Sequence, residues 1–71
     1  MSPMIPAADV RIGDRLRTRL GAELTVTRID PGFMDREGML AFVEDSDEQW
    51  LKMPARLGAD VQLVRRPGTG T

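Results

Sequence analysis

Val10-Arg11-Ile12-Gly13-Asp14-Arg15-Leu16 and, after a short Gly-containing turn, Leu24-Thr25-Val26-Thr27-Arg28-Ile29 carry the pattern that decides the fold. The first strand covers about Asp14 to Arg19, with Leu16, Thr18 and Leu20 on one face and Arg15, Arg17 and Arg19 on the other. A period of two belongs to a strand with one buried face. Gly13-Asp14 just ahead suits a tight turn, because glycine accepts positive φ, and Leu20-Gly21-Ala22-Glu23 closes a hairpin. The second strand, about Glu23 to Asp30, turns Leu24 and Val26 inward and Thr25 and Thr27 outward. Ile29 is out of phase with Val26, so a β-bulge near Thr27-Arg28 is expected to return it to the core.

Working outward, Asp30-Pro31-Gly32 breaks the second strand, because proline has no donor for a ladder. Phe33 to Gly38 reads as a mixed loop with room for one helical turn. A third strand covers about Met39 to Glu44 with Phe42 at its centre, and Glu44-Asp45-Ser46-Asp47-Glu48 is the turn after it. The fourth covers Gln49 to Met53 and ends at Pro54. Pro54 to Ala59 suits a one-turn 3₁₀ connector, and Asp60 to Arg65 forms the fifth strand with Val61, Leu63 and Val64. No window gives three turns of helical periodicity uninterrupted by Gly or Pro. Residues 1–8, with Pro3 and Pro6, read as a flexible arm, residues 9–66 as the domain, and residues 67–71 as a flexible tail.

Seventy-one residues make one small domain, near the lower size for a core without staples. The chain has no cysteine and no histidine. That removes disulfides, thiolate metal sites, the commonest metal ligand and the usual general base. A cytoplasmic protein fits these absences. The start has neither a basic n-region nor an apolar h-region, and no apolar run approaches the roughly 20 residues that span a bilayer. Ten basic and eleven acidic residues give a formal net charge of −1, without the basic surplus usual for phosphate-neutralising nucleic-acid binders.

Val10-x-Ile12-Gly13-Asp14-x-Leu16, the strand Leu24 to Ile29, Trp50 opening the fourth strand and Pro54 to Ala59 before a short last strand together resemble the SH3-like small barrels. The resemblance covers roughly residues 9 to 66. It implies an all-β, five-stranded antiparallel SH3-like barrel with a short 3₁₀ turn before the last strand, and a role in binding a peptide, a nucleic acid or a larger protein. The chain departs from the peptide-binding SH3 pattern, whose polyproline groove is lined by several aromatics. Here tyrosine is absent and Trp50 is the one tryptophan.

Three clusters invite a functional reading. Closely spaced carboxylates in Glu44 to Glu48 suit a hard cation, but the EF-hand spacing is missing, and a solvated loop explains them better. Arg15, Arg17 and Arg19, with Arg28 beside them, form a guanidinium row that suits phosphate or carboxylate. The competing reading is a solvent face with cross-strand pairs to Glu23 or Asp60. Trp50 and Lys52 share one face of the fourth strand. Facing outward they make a hot spot for a protein partner. In the opposite phase Trp50 is the largest core residue, and that phase is the expected one because large aromatics dominate small cores.

Catalysis lacks an activated nucleophile, since the hydroxyls have no histidine to pair with. The expected function is a small non-enzymatic interaction module without cofactor or metal. Arg15, Arg17, Arg19, Trp50 and Lys52 are its contact residues toward an unidentified protein partner. Two alternatives stand beside it: a nucleic-acid-binding barrel using the arginine face, and an accessory subunit of a larger enzyme. Homo-oligomerisation through a strand edge is a further expectation, because a sheet this small leaves edges uncovered.

Overall fold

The computed structural model describes residues 3–31 and 37–67. It is all-β apart from one 3₁₀ turn, Ala7–Asp9. Seven strands follow in chain order: β1 Met4–Pro6, β2 Arg15–Arg17, β3 Glu23–Thr25, β4 Arg28–Pro31, β5 Met39–Asp45, β6 Trp50–Arg56 and β7 Asp60–Arg65. They form two antiparallel sheets, β1-β7-β2-β3 and β4-β5-β6. The expected class holds, while five strands become seven and the sheets do not close into a barrel.

The expected second strand explains part of that difference. It is divided at Val26-Thr27, and its halves belong to different sheets, β3 pairing with β2 and β4 with β5. The phase slip at Ile29 is therefore a change of sheet rather than a bulge. Val26 still donates to the Asp14 carbonyl and accepts from the Gly13 N–H, each at 2.8 Å, whereas Thr27 N donates to Val43 at 2.8 Å. One residue later the backbone has a new partner, and Leu24, Val26 and Ile29 all reach the same core.

The arm differs more. Met4–Pro6 pairs with β7, Ile5 opposite Val61, Ala7 is buried, and Leu63 N donates to Pro3 O at 2.9 Å. Prolines fit here because β1 lies at a sheet edge, where half of the backbone donors have no ladder partner to serve. The 3₁₀ turn thus follows β1 and does not precede the last strand. Pro54 does not end β6, which runs on to Arg56 with Pro54 opposite Ala41. β6 is also an edge strand, so the missing donor costs no bond. The expected first strand ends at Arg17. Residues 19 and 20 are in a turn, and Leu20 is 97% exposed instead of buried. Glycines set two of these corners, Gly13 at φ +98° and Gly21 at φ +88°, where an L-residue is strained. The helical turn expected within Phe33 to Gly38 and most of the tail lie outside the described residues.

Phe42, Leu16, Leu24 and Val26 fill the space between the sheets, with Ala7, Val10 and Val61 around them. Burying each of the larger side chains stabilises the fold by roughly 1.5–3 kcal/mol. β5 reads as an almost continuous apolar run because it is covered on both faces. Phe42 faces the core, while Ala41 and Val43 are fully buried on the other side. They stand in rows with Asp30 and Pro54, and with Arg28 and Lys52. Directly opposed side chains share a face, so the aliphatic stems of Arg28 and Lys52 shield this floor while their heads pair with Asp30.

Candidate functional site

The sequence-derived contact residues separate into three places. Arg15 and Arg17 share a face of β2, as expected, but both are committed to the neighbouring strand. Glu23 accepts from Arg15 Nε at 3.1 Å and from Arg17 at 2.9 Å, and Arg15 also donates to Thr25 Oγ1 at 2.7 Å. The hydrogen bonds from Arg17 and Arg15 lower the Glu23 pKa. Arg19 leaves the row, because β2 ends before it. Arg28 lies in the other sheet and pairs with Asp30 at 2.8 Å. No four-guanidinium face exists here. The cross-strand reading with Glu23 describes what the chain does.

Trp50 is 57% exposed, which corrects its expected burial. The inward positions of β6 are Leu51, Met53 and Ala55, which pack against the core, so period two turns Trp50 and Lys52 to the outer face. The core instead takes its aromatic from Phe42 on the central strand of the smaller sheet.

The acidic turn is a structural device at its first residue. Counting by two from Phe42 places Glu44 on the core side of β5, where it is only 5% exposed. Its carboxylate accepts from Thr25 N at 2.7 Å, Gln49 Nε2 at 2.8 Å and Ser46 Oγ at 2.8 Å. Gln49 Nε2 also reaches the Glu23 carbonyl at 3.1 Å. Glu44 and Gln49 thereby occupy the outer main-chain edge of β3 and bridge the two sheets. The bond from Thr25, then that from Gln49, holds the Glu44 pKa below the ordinary carboxylate range against its burial.

Asp14 is a second buried carboxylate, 1% exposed. It accepts from Arg11 N at 2.9 Å and from Arg66 Nε and a terminal Arg66 nitrogen at 3.0 and 2.9 Å. Burial by itself raises its pKa, but the Arg66 and Arg11 hydrogen bonds outweigh that and leave it lowered. Arg66 is raised in turn by its bond to Asp14. This clamp ties the residue after β7 to the turn before β2. A polar recess of about 330 Å³ beside it is lined by Arg11 and by Arg66, whose guanidinium is already engaged with Asp14.

A larger concavity lies elsewhere. A groove of about 630 Å³ runs along β6 between that edge strand, the β2–β3 hairpin and the start of β7. Leu51, Met53, Ala55 and Val61 form its apolar side, and Arg17, Arg19, Lys52, Arg56 and Asp60 its polar side. Its size is that of a ligand-binding cleft. Two hydrogen bonds, Leu57 N to Gly38 O at 2.8 Å and Ser46 N to Gln49 O at 3.0 Å, fix the phase of the β5–β6 ladder. Antiparallel pairs alternate between bonded and non-bonded. Leu51, Met53 and Ala55 therefore exchange bonds with β5, and the main-chain groups of Trp50, Lys52, Pro54 and Arg56 point away from it, toward the edge. Sequence reasoning marked Arg19, Trp50 and Lys52 but missed Arg56 and the groove. The legible signal was Leu51, Met53 and Ala55 alternating straight through Pro54.

Comparison with family models, with curated proteins and with solved structures returned no match.

Proposed function

We propose that this chain is a non-enzymatic protein-interaction module of SH3-like arrangement that binds its partner in the groove along β6. The observation that carries the reading is the groove itself, an apolar concavity rimmed by charge beside a strand edge. Contact surfaces of this kind couple an apolar centre to a polar rim. The SH3-like part of the reading draws on the two triplets β7-β2-β3 and β4-β5-β6, joined through the bent β3–β4 segment. The added β1 strand departs from that plan.

The reading is tested by panning a library of random seven-residue peptides against the wild-type chain and against Ala22→Trp. Ala22 is an exposed rim position, so the ring obstructs the groove without touching the core. Enriched peptides that bind the wild type and lose at least about tenfold affinity for the variant are the expected outcome (about 1.4 kcal/mol). Peptides indifferent to the substitution, or no enrichment at all, overturn it.

A further inference from the structure

We infer that the occupant of the β6 groove is an extended acidic segment of a partner protein, with apolar side chains alternating with carboxylates. The inference rests on the groove being the binding surface and adds the chemistry of what it takes.

Three observations select that chemistry. The groove lining holds four cations and one carboxylate, Asp60, in a chain whose formal net charge is −1. Positive charge is therefore concentrated at this site against the balance of the whole molecule. Arg17 is shared with Glu23 and Lys52 with Asp30, but Arg19 and Arg56 make no ion pair among the described residues. They stand on opposite walls, Arg19 on the hairpin and Arg56 at the end of β6. Guanidinium groups favour carboxylates in bidentate geometry.

The second observation is the floor. Leu51, Met53 and Ala55 recur every second residue, so a segment matching them apolar-for-apolar is itself extended, with its intervening residues at the charged rim. The third is the main chain. Outward-pointing carbonyls at Trp50 and Pro54, and the Arg56 N–H, give an extended segment hydrogen bonds along the edge. Pro54 contributes no donor, which interrupts a continuous ladder, and an edge bearing proline and charge disfavours indiscriminate strand pairing. Side-chain complementarity then decides which segments bind.

A nucleic acid shares the negative charge but fits the floor poorly. No aromatic side chain among the described residues lines the groove, and single strands rely on stacking platforms.

Blocked seven-residue peptides, the length of β6, test the inference. One alternates Val with Glu, a second Val with Thr, a third Val with Lys. Each is titrated into the isotope-labelled chain while backbone amides are followed. The Glu peptide is expected to shift the amides of Met53, Ala55 and Arg56 and to bind at least about tenfold more tightly than the Thr peptide. Arg19→Glu combined with Arg56→Glu, both at exposed sites, is expected to remove that advantage with the fold unchanged by circular dichroism. Raising the salt from about 50 to 500 mM is expected to weaken the Glu peptide severalfold and to leave the Thr peptide alone.

Equal binding of the Glu and Thr peptides at the groove overturns the acidic chemistry and leaves the groove reading standing, as does preference for the Lys peptide. If no peptide shifts the groove amides, both readings fail. An oligothymidylate that shifts the same amides at lower concentration than the Glu peptide overturns the inference in favour of nucleic acid. Groove amides that move on dilution of the chain alone overturn it in favour of a second copy.

Discussion

The two sheets meet along two seams, and they are built oppositely. At the first, the chain itself crosses from β3 to β4, and the edge of β3 is occupied by side chains from the end of β5 and the turn after it: Thr25 N donates to Glu44 and the Glu23 carbonyl accepts from Gln49. At the second, β6 and β7 are joined by a tight turn, yet among the described residues β6 pairs only with β5 and β7 only with β1 and β2. That seam is left as a groove. A small β-domain can satisfy an edge internally or leave it for another chain. This molecule satisfies the edge of β3 internally and leaves that of β6 unpaired, and the second is where we propose that the partner binds.

The largest expected effect breaks the closed seam. Glu44→Ala removes the acceptor for Thr25 N and one partner of Gln49 and Ser46, leaving part-buried donors unmet. Such losses cost about 1–3 kcal/mol for each buried group, so a total of about 2–4 kcal/mol is expected in urea unfolding. Arg56→Ala at the open seam is expected within about 0.5 kcal/mol of wild type. Similar losses at both sites erase the contrast.

Acid sharpens the comparison. Glu44 and Asp14 both have folded pKa values below the ordinary range, Glu44 through the Thr25 and Gln49 bonds, Asp14 through Arg66 and Arg11 against the opposing effect of burial. A lowered carboxylate contributes stability that is present above its unfolded pKa and is lost as pH falls through the folded one. Stability is therefore expected to hold at neutral pH and to decline below about pH 4. The decline is expected to be shallower in Glu44→Gln, which has no carboxylate to protonate at the closed seam. Parallel acid titrations of wild type and variant by circular dichroism check this.

Gly13→Ala acts in the turn before β2, beside the crossing at Val26. At φ +98° an alanine is strained, and its Cβ would lie 3.2 Å from Pro67 Cγ. A loss of about 1–2 kcal/mol is expected from backbone strain and this close approach, measured as a shift in the urea midpoint.

The parts of this design visible in the sequence are those that follow a local period. Leu16 alternating with arginines, Leu24 with Val26, and the break at Pro31 placed strands to within a few residues. The phase slip at Ile29 flagged the right position, but a slip cannot by itself distinguish a bulge from a change of sheet, because both rotate the side chains in the same way. The β1 strand was hidden because its prolines argue against pairing in general, and they are excluded only from positions that must donate. The Asp14–Arg66 clamp joins residues 52 positions apart, and no spacing rule anticipates it. Glu44 was closer to legible, since an acid in phase with Phe42 on an apolar strand must find donors inside. Arg15 and Arg17 were legible as a row, which Arg19 leaves because β2 ends before it, and they were misleading as a site. Glu23, one strand away, determines its use, and cross-strand register is not written in either strand alone.

The smallest expected effect concerns Trp50, where sequence and structure disagree most simply. Period two fixes that Trp50 opposes Leu51, but not which of the two faces the core. The choice is made by volume between the sheets, where Phe42 already occupies the centre and Leu51, Met53 and Ala55 complete the packing from β6. At 57% exposure, Trp50→Ala is expected to cost less than about 1 kcal/mol, against about 3–5 kcal/mol for a core tryptophan or for Phe42→Ala. The chain has a single tryptophan, so its fluorescence reports this position alone. The native emission is expected to lie close to that of the urea-unfolded chain, with only a small red shift on unfolding. A strongly blue-shifted native emission together with loss of fold in Trp50→Ala puts Trp50 in the core. It would also reverse the phase of β6, and with it the floor and edge of the groove.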